Sequence, residues 1–336
     1  MIAVVGAGAM GAALAMVHDR AGVATALLGT RFDDAAIEAC RDGRPHPALG
    51  VSLPSAIDCR PHDSWAAVLR NAERIVIAVS SDGLADVVAE VAPQASRQAA
   101  WVVATKGWDS ATLRTPSEIV SEVTKRVAVL AGPALAPELV AGAPTAMVCA
   151  SRDADLARDV AMTLVRAGID AEITDDVVGA EIASAYKNVT AIAVGMCEGL
   201  SERLAENVFV HRYANARAAV FAQGLKDMSA LAGKQGGRAE TIFGLAGAGD
   251  LFVTSLGGRN GTFGRLLGAG QTPGQAKETI GSTVEGVANT FAALALGERL
   301  HVELKAARAV AAVLAEEAKP DEAITAMIRS AGEETI

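Results

Sequence analysis

The chain has 336 residues, of which 51% are hydrophobic and only 4% aromatic, enough for two domains with aliphatic, alanine-rich cores. A formal net charge of -9 argues against a nucleic-acid binder, which would carry a basic face, but a local pair of cations is enough to hold a small anion. The four cysteines, Cys40, Cys59, Cys149 and Cys197, have no metal-ligand spacing and read as free thiols of a reducing cytoplasm, with no metal site. The first strand begins at Met1, which leaves no room for a signal peptide, and no apolar run is long and uncharged enough to span a bilayer.

Met1 to Val5 is an apolar strand that runs into Gly6-Ala7-Gly8-Ala9-Met10-Gly11, and a helix follows from Ala12 to Ala21. A GxGxxG between a strand and a helix is the context that binds a dinucleotide. Gly6 permits the turn, Gly8 lets a pyrophosphate approach the backbone, and Gly11 lets the helix pack closely. The helix start offers free amides to the phosphates. The second strand, Thr25 to Leu28, ends at Gly29-Thr30-Arg31. A chain built for NAD places an acid there; Asp33 and Asp34 come late, so Arg31 either holds the 2′-phosphate of NADP or is simply solvated.

Residues 43–61 read as an irregular connection. Ile75 to Val79 is a buried-type strand that ends near Ser81, Leu84 to Ala92 a helix, and Trp101 to Ala104 a strand with Lys106 just past its end. Ligands of open parallel sheets bind at that edge. Thr115-Pro116-Ser117-Glu118 is a helix start with a capping box. Val127 to Leu130 and Thr145 to Ala150 read as strands, Asp153 to Ala167 as a helix, and Ala171 to Thr174 as the last strand. Strands alternating with helices predict a doubly wound parallel sheet over residues 1–175, and the end of the strand signal predicts an all-helical domain over 176–336.

In the second half, Glu181 to Gly199 is a helix that is apolar on nearly every side, with Lys187 and Asn188 at its middle. Such a helix is buried. Ala183, Ser184, Thr190 and Ala191, one turn from Lys187, supply no acid to neutralise it. A desolvated lysine suits proton transfer near neutral pH, unless it snorkels to the surface. Leu200 to Ala214 is polar and irregular, and Asn215 to Leu231 is helical. The small residues of Gly244 to Leu251 mean close backbone approach or a loop over a ligand. Asp250, which closes that run, ties down Lys187 or a substrate hydroxyl, or caps a helix. Gly257 to Gly261 reads as a flexible, exposed loop around Arg259 and Asn260, suited to bidentate phosphate recognition. Helices follow over Val287 to Ala295, Leu304 to Lys319 and Asp321 to Ser330.

These motifs, in this order, resemble NAD(P)-dependent glycerol-3-phosphate dehydrogenase. The resemblance rests on GAGAMG, ATKG at Ala104 to Gly107, AGP with Glu138, AGAPTA at Ala141 to Ala146, YKNVTAIAVG at Tyr186 to Gly195, GLAGAGDL, GGRN and VEG at Val284 to Gly286. It implies a Rossmann-type N-terminal domain, a cytoplasmic homodimer, NAD or NADP as cofactor, and reversible reduction of dihydroxyacetone phosphate to sn-glycerol 3-phosphate. It makes Lys187 the general acid/base, assisted by Lys106 and Asp250. Gly132, Asn188 and Thr254 then line the substrate, with Arg259 and Asn260 on its phosphate. Ser81, Ala136, Arg259 and Glu285 join the glycine loop, Arg31 and Lys106 along the cofactor. The departures are Ala134, Pro137, Gln223 and a longer Gly199–Asn215 segment carrying His211, Arg212 and Tyr213. They cluster on the substrate side, so another polyol or ketose phosphate is an alternative substrate. A ketopantoate reductase or β-hydroxyacid dehydrogenase is a second alternative, and a non-catalytic nicotinamide sensor a third.

Overall fold

The computed structural model describes residues 1–203 and 213–329. Eight strands form one sheet: β1 (Ile2–Val5), β2 (Thr25–Leu28), β3 (Asp58–Arg60), β4 (Arg74–Ile77), β5 (Ala100–Val103), β6 (Val127–Ala131), β7 (Ala146–Ala150) and β8 (Asp170–Thr174). Their order is β3-β2-β1-β4-β5-β6-β7-β8. β1, β2, β4 and β5 are buried at every residue, as runs such as IAVV and RIVI must be when helices cover both faces. Strand order reverses between β1 and β4, which places a ligand crevice at their carboxyl ends.

Among the described strands only β6 and β7 pair antiparallel. Their connection holds a helix of 6 residues, about 9 Å long, too short to carry the chain back along a five-residue strand of about 16 Å. β3 falls in the segment expected to be irregular; it has three residues on the sheet edge and no apolar alternation to announce it.

The helices are α1 (Ala9–Arg20), α2 (Asp34–Arg41), α3 (Ala66–Asn71), α4 (Leu84–Val91), α5 (Pro116–Val120), α6 (Ala136–Ala141), α7 (Ala154–Arg166) and α8 (Val177–Arg203). Then come α9 (Ala214–Lys234), α10 (Ala239–Phe243), α11 (Asp250–Ser255), α12 (Arg259–Gly268), α13 (Pro273–Ile280), α14 (Glu285–Leu300), α15 (Lys305–Leu314) and α16 (Pro320–Ile328). No single described helix is long and apolar enough to cross a membrane.

The chain divides into two compact units: Met1–Asp109 with Arg114–Glu181, and Ser110–Leu113 with Ile182–Ile336. The boundary drawn near Asp175 comes at the turn before α8, and the units part in the second turn of that helix. Asp176 starts α8 by accepting the Gly179 amide at 2.8 Å. Glu181, fully buried, accepts the Ser117 amide at 2.7 Å and the Ser117 hydroxyl at 2.6 Å, so it caps α5 from outside that helix. α8 is four residues longer at each end than its apolar core suggests, and Leu200–Arg203, expected to be irregular, belong to it. His211 and Arg212 lie outside the described residues.

Candidate active site

In the first unit, β1 delivers the chain to the glycine loop. Gly6 has φ +101, and a Cβ there would stand 2.7 Å from the Ala78 carbonyl oxygen after β4. A Cβ on Gly11 would stand 1.8 Å from the Gly6 oxygen, so these two glycines fold the loop tightly on itself. Gly8 is different: a Cβ would meet nothing within 4 Å, and the loop is open there to an approaching group. Ala9, Met10 and Gly11 open α1, where first-turn amides have no intrahelical acceptor and suit a pyrophosphate.

The Ala7 amide is committed elsewhere. It donates to Asp33 Oδ2 at 3.1 Å, and the same oxygen accepts the Thr30 amide at 2.8 Å and the Thr30 hydroxyl at 2.7 Å. Asp33, read from the sequence as a late ribose acid, thus braces the glycine loop against the end of β2. A pocket of about 240 Å³ opens beside it, bounded by Gly6, Gly8, Arg31, Phe32 and Asp86. Arg31 is exposed on its rim, 3.8 Å from Asp86 and 5.0 Å over the Phe32 ring. A weak exposed pair of this kind leaves the guanidinium available to an anion.

Three other expected residues also follow strand ends. Ser81 is buried in the turn after β4, Ala136 opens α6 after β6, and Lys106 Nζ donates to the Gly132 carbonyl at 3.2 Å. Lys106 and Gly132 are therefore together, as their shared sheet edge predicts. The site fits a dinucleotide: an open glycine loop, free helix amides and a cation at the pocket rim.

In the second unit, Lys187 is buried and pairs with buried Asp250. The acid that the local sequence lacked comes from a distant segment. Leu245–Gly249 forms a single π-helical turn, and Asp250 opens α11 directly after it. A Cβ on Gly247 would stand 2.0 Å from the Ile242 oxygen, which is why this run is built of small residues. Thr254, one turn on, donates its hydroxyl to the Asp250 carbonyl at 2.7 Å and keeps lone pairs for a further donor.

The Gly257–Gly261 segment is not the flexible loop expected of it. Gly258 turns the chain at φ +101, Arg259 begins α12, and Asn260 is buried. The glycines beyond are helix-packing residues. A Cβ on Gly264 would stand 2.0 Å from the Ile192 oxygen, and one on Gly268 2.1 Å from the Met196 oxygen. From the other side, a Cβ on Gly195 would stand 2.2 Å from the Gly261 oxygen and one on Gly199 1.9 Å from the Arg265 oxygen. α12 therefore lies backbone to backbone on the helix that carries Lys187, with its amide end and exposed Arg259 near Asn188. Asn260 Nδ2 donates to Asn188 Oδ1 at 2.9 Å, and Asn260 Oδ1 accepts the Gly286 amide at 2.9 Å. Both polar atoms of the Asn260 side chain are thus engaged within the unit, and its main-chain amide lies in the first turn of α12. Glu285, first residue of α14, is half-buried beside this knot.

Sequence reasoning did not find the network behind Lys187. The Tyr186 hydroxyl donates to Asp227 Oδ2 at 2.7 Å, which also accepts the Ala306 amide at 2.7 Å. Gln223 donates to Asp227 Oδ1 at 2.7 Å within α9, so this departure from the family pattern helps hold the carboxyl that joins α9 to Tyr186 and Ala306. Burial pushes the carboxyl of Asp227 and the hydroxyl of Tyr186 above their usual pKa ranges. Tyr186 and Asp227 are 41 residues apart, and no local pattern links them.

Residues 1–157 match the family described as NAD-dependent glycerol-3-phosphate dehydrogenase N-terminus, and residues 176–325 match its C-terminus. The chain is 37% identical over 335 residues to glycerol-3-phosphate dehydrogenase [NAD(P)+] of Thiobacillus denitrificans, covering 97% of each. It is 31% identical over 334 residues to NADP(+)-dependent glycerol-3-phosphate dehydrogenase of Archaeoglobus fulgidus, covering 96% of this chain and 98% of that one. The crystal structure of glycerol-3-phosphate dehydrogenase from Coxiella burnetii superposes with a TM-score of 0.87 at 30% identity, covering 98% of each chain.

Proposed function

The chain belongs to the NAD-dependent glycerol-3-phosphate dehydrogenase family, and from that premise we propose how its residues carry the reaction and which cofactor it prefers. It is an NAD(P)-dependent oxidoreductase that interconverts dihydroxyacetone phosphate and sn-glycerol 3-phosphate. The observation that carries the mechanism is the buried Lys187–Asp250 pair on a helix packed against the amide end of α12.

When bound, a reduced nicotinamide supplies the hydride that C2 of the substrate receives. The Lys187 ammonium gives its proton to the C2 oxygen as negative charge develops there, and takes it back in the reverse direction. Asp250 fixes the ammonium and supplies its counter-charge. Arg259 and the first-turn amides of α12 hold the phosphate, since a helix start and a forked cation both suit an oxyanion. Thr254 and Asn188 line the substrate. Lys106, held at the Gly132 carbonyl, adds positive charge at the sheet edge for the cofactor. The glycine loop, Ser81 and Ala136 would hold the dinucleotide in the first unit.

Arg31 on the rim of the β2 pocket favours NADP, whose 2′-phosphate it can meet, and Asp33 is committed to Ala7 and Thr30. Exposed Phe243, Phe252, Leu256 and Phe291 in the second unit support a homodimer. Four free cysteines support a cytoplasmic enzyme.

The test is oxidation of NADPH and of NADH, followed by absorbance, with dihydroxyacetone phosphate beside longer ketose phosphates and 2-oxo acids. The reading expects dihydroxyacetone phosphate to give the highest kcat/KM, with NADPH ahead of NADH. A higher kcat/KM on a longer ketose phosphate would mean that Ala134 and the 200–214 segment have remade the pocket. Turnover of 2-oxo acids alone would overturn the phosphate reading.

A further inference from the structure

Ser184 and Asn188 lie one turn apart on α8, on the face that also carries Lys187. Each is 3% exposed, and among the described residues neither Ser184 Oγ nor Asn188 Nδ2 has a hydrogen-bond partner. Buried polar groups are rarely left in that state. For Asn188 the cause is fixed by chemistry. The Gly286 amide can only donate, so Asn260 must present Oδ1 to it and turn Nδ2 toward Asn188 Oδ1. Asn188 Nδ2 is thereby turned away from the protein's own acceptors.

Ser184 differs from three other hydroxyl residues on this unit's helices. Thr254, Ser255 and Thr290 each donate to the carbonyl one turn back, at 2.7, 2.8 and 2.6 Å. Serine in a helix commonly does so; Ser184 does not, although its burial makes a partner more valuable to it.

The order of groups along α8 says what that partner is. Asn188 adjoins Asn260 in the first turn of α12, at the phosphate end. Ser184 stands about 6 Å from it along the axis toward the helix start, and Lys187 falls between them. A three-carbon phosphate with its phosphate at α12 and its C2 oxygen at Lys187 extends its third carbon, C1, toward Ser184. We infer that Ser184 is a specificity-determining residue whose hydroxyl hydrogen-bonds the C1 hydroxyl of dihydroxyacetone phosphate and of glycerol 3-phosphate. This rests on the assignment of Lys187 and α12 made above.

The test compares kcat/KM for dihydroxyacetone phosphate and for hydroxyacetone phosphate, which has a methyl group at C1, in the wild type and in Ser184→Ala. A site built around a substrate hydroxyl rejects the analogue lacking it, because its own polar group is left unpaired. The wild type should prefer dihydroxyacetone phosphate. Ser184→Ala should lose roughly ten- to a hundred-fold in kcat/KM on it while keeping its rate on hydroxyacetone phosphate within about twofold. An unchanged preference in Ser184→Ala overturns the inference. Equal losses on both substrates, or a raised KM for NADPH, also overturn it, since they place the hydroxyl in the scaffold or at the cofactor. A wild type that reduces neither phosphate overturns it together with the underlying assignment, an outcome that the variant alone could not produce.

Discussion

Glu181 is a buried carboxyl that accepts the amide and the hydroxyl of Ser117, and burial raises its pKa to about 7, against bonds from Ser117 and Thr115 that pull it down. In the unfolded chain the same group titrates near 4.5. The folded state therefore binds this proton more tightly, and the stability linked to it is full below about pH 4.5 and lost as pH rises through about 7. The difference amounts to roughly 3 kcal/mol at most. Glu181→Gln keeps the shape and an acceptor for Ser117 but cannot ionise. Urea midpoints measured between pH 4.5 and 8 should fall with pH in the wild type more steeply than in the variant. Parallel slopes would mean that Glu181 stays charged in the fold. Burial of Lys187 was legible from its apolar helix. The turn of Asn188 was not, because it depends on one backbone amide at Gly286, 98 positions away in the chain.

At the scale of elements, α8 and α12 are joined by glycines. Gly261, Gly264 and Gly268 recur at helical spacing, yet glycine costs about 1 kcal/mol in a helix interior, so the segment reads as a loop until its partner is known. The partners, Gly195 and Gly199, sit on another helix, and no local rule pairs them. Gly264→Ala places a methyl group 2.0 Å from the Ile192 oxygen, and backbone must shift to admit it. Overpacking of this kind costs about 1–3 kcal/mol, more than the propensity gain from alanine returns. The denaturation midpoint should fall, and KM for dihydroxyacetone phosphate should rise as α12 moves off α8. Gly233→Ala in α9 is the control, since a Cβ there meets nothing within 4 Å and stability should hold or rise. Equal effects at the two glycines would refute the backbone-to-backbone packing.

For the whole molecule, strand–helix alternation and the loss of strand signal near Asp175 were enough to read the fold, because parallel strands covered on both faces are continuous apolar runs. β3 and the short helices α2, α3, α6, α10 and α13 were not legible; each is brief and held by tertiary contacts more than by its own pattern. The glycine loop and Arg31 belong to one unit, the Lys187–Asp250 pair and α12 to the other. Cofactor binding and proton transfer should therefore separate by mutation. The most direct measurement is NADPH affinity and dihydroxyacetone phosphate turnover in Lys187→Ala, with near-ultraviolet circular dichroism to confirm the fold. NADPH affinity should stay within about threefold of wild type while turnover falls by roughly 10²–10⁴. Turnover at the wild-type rate would remove Lys187 from the chemistry and contradict the account.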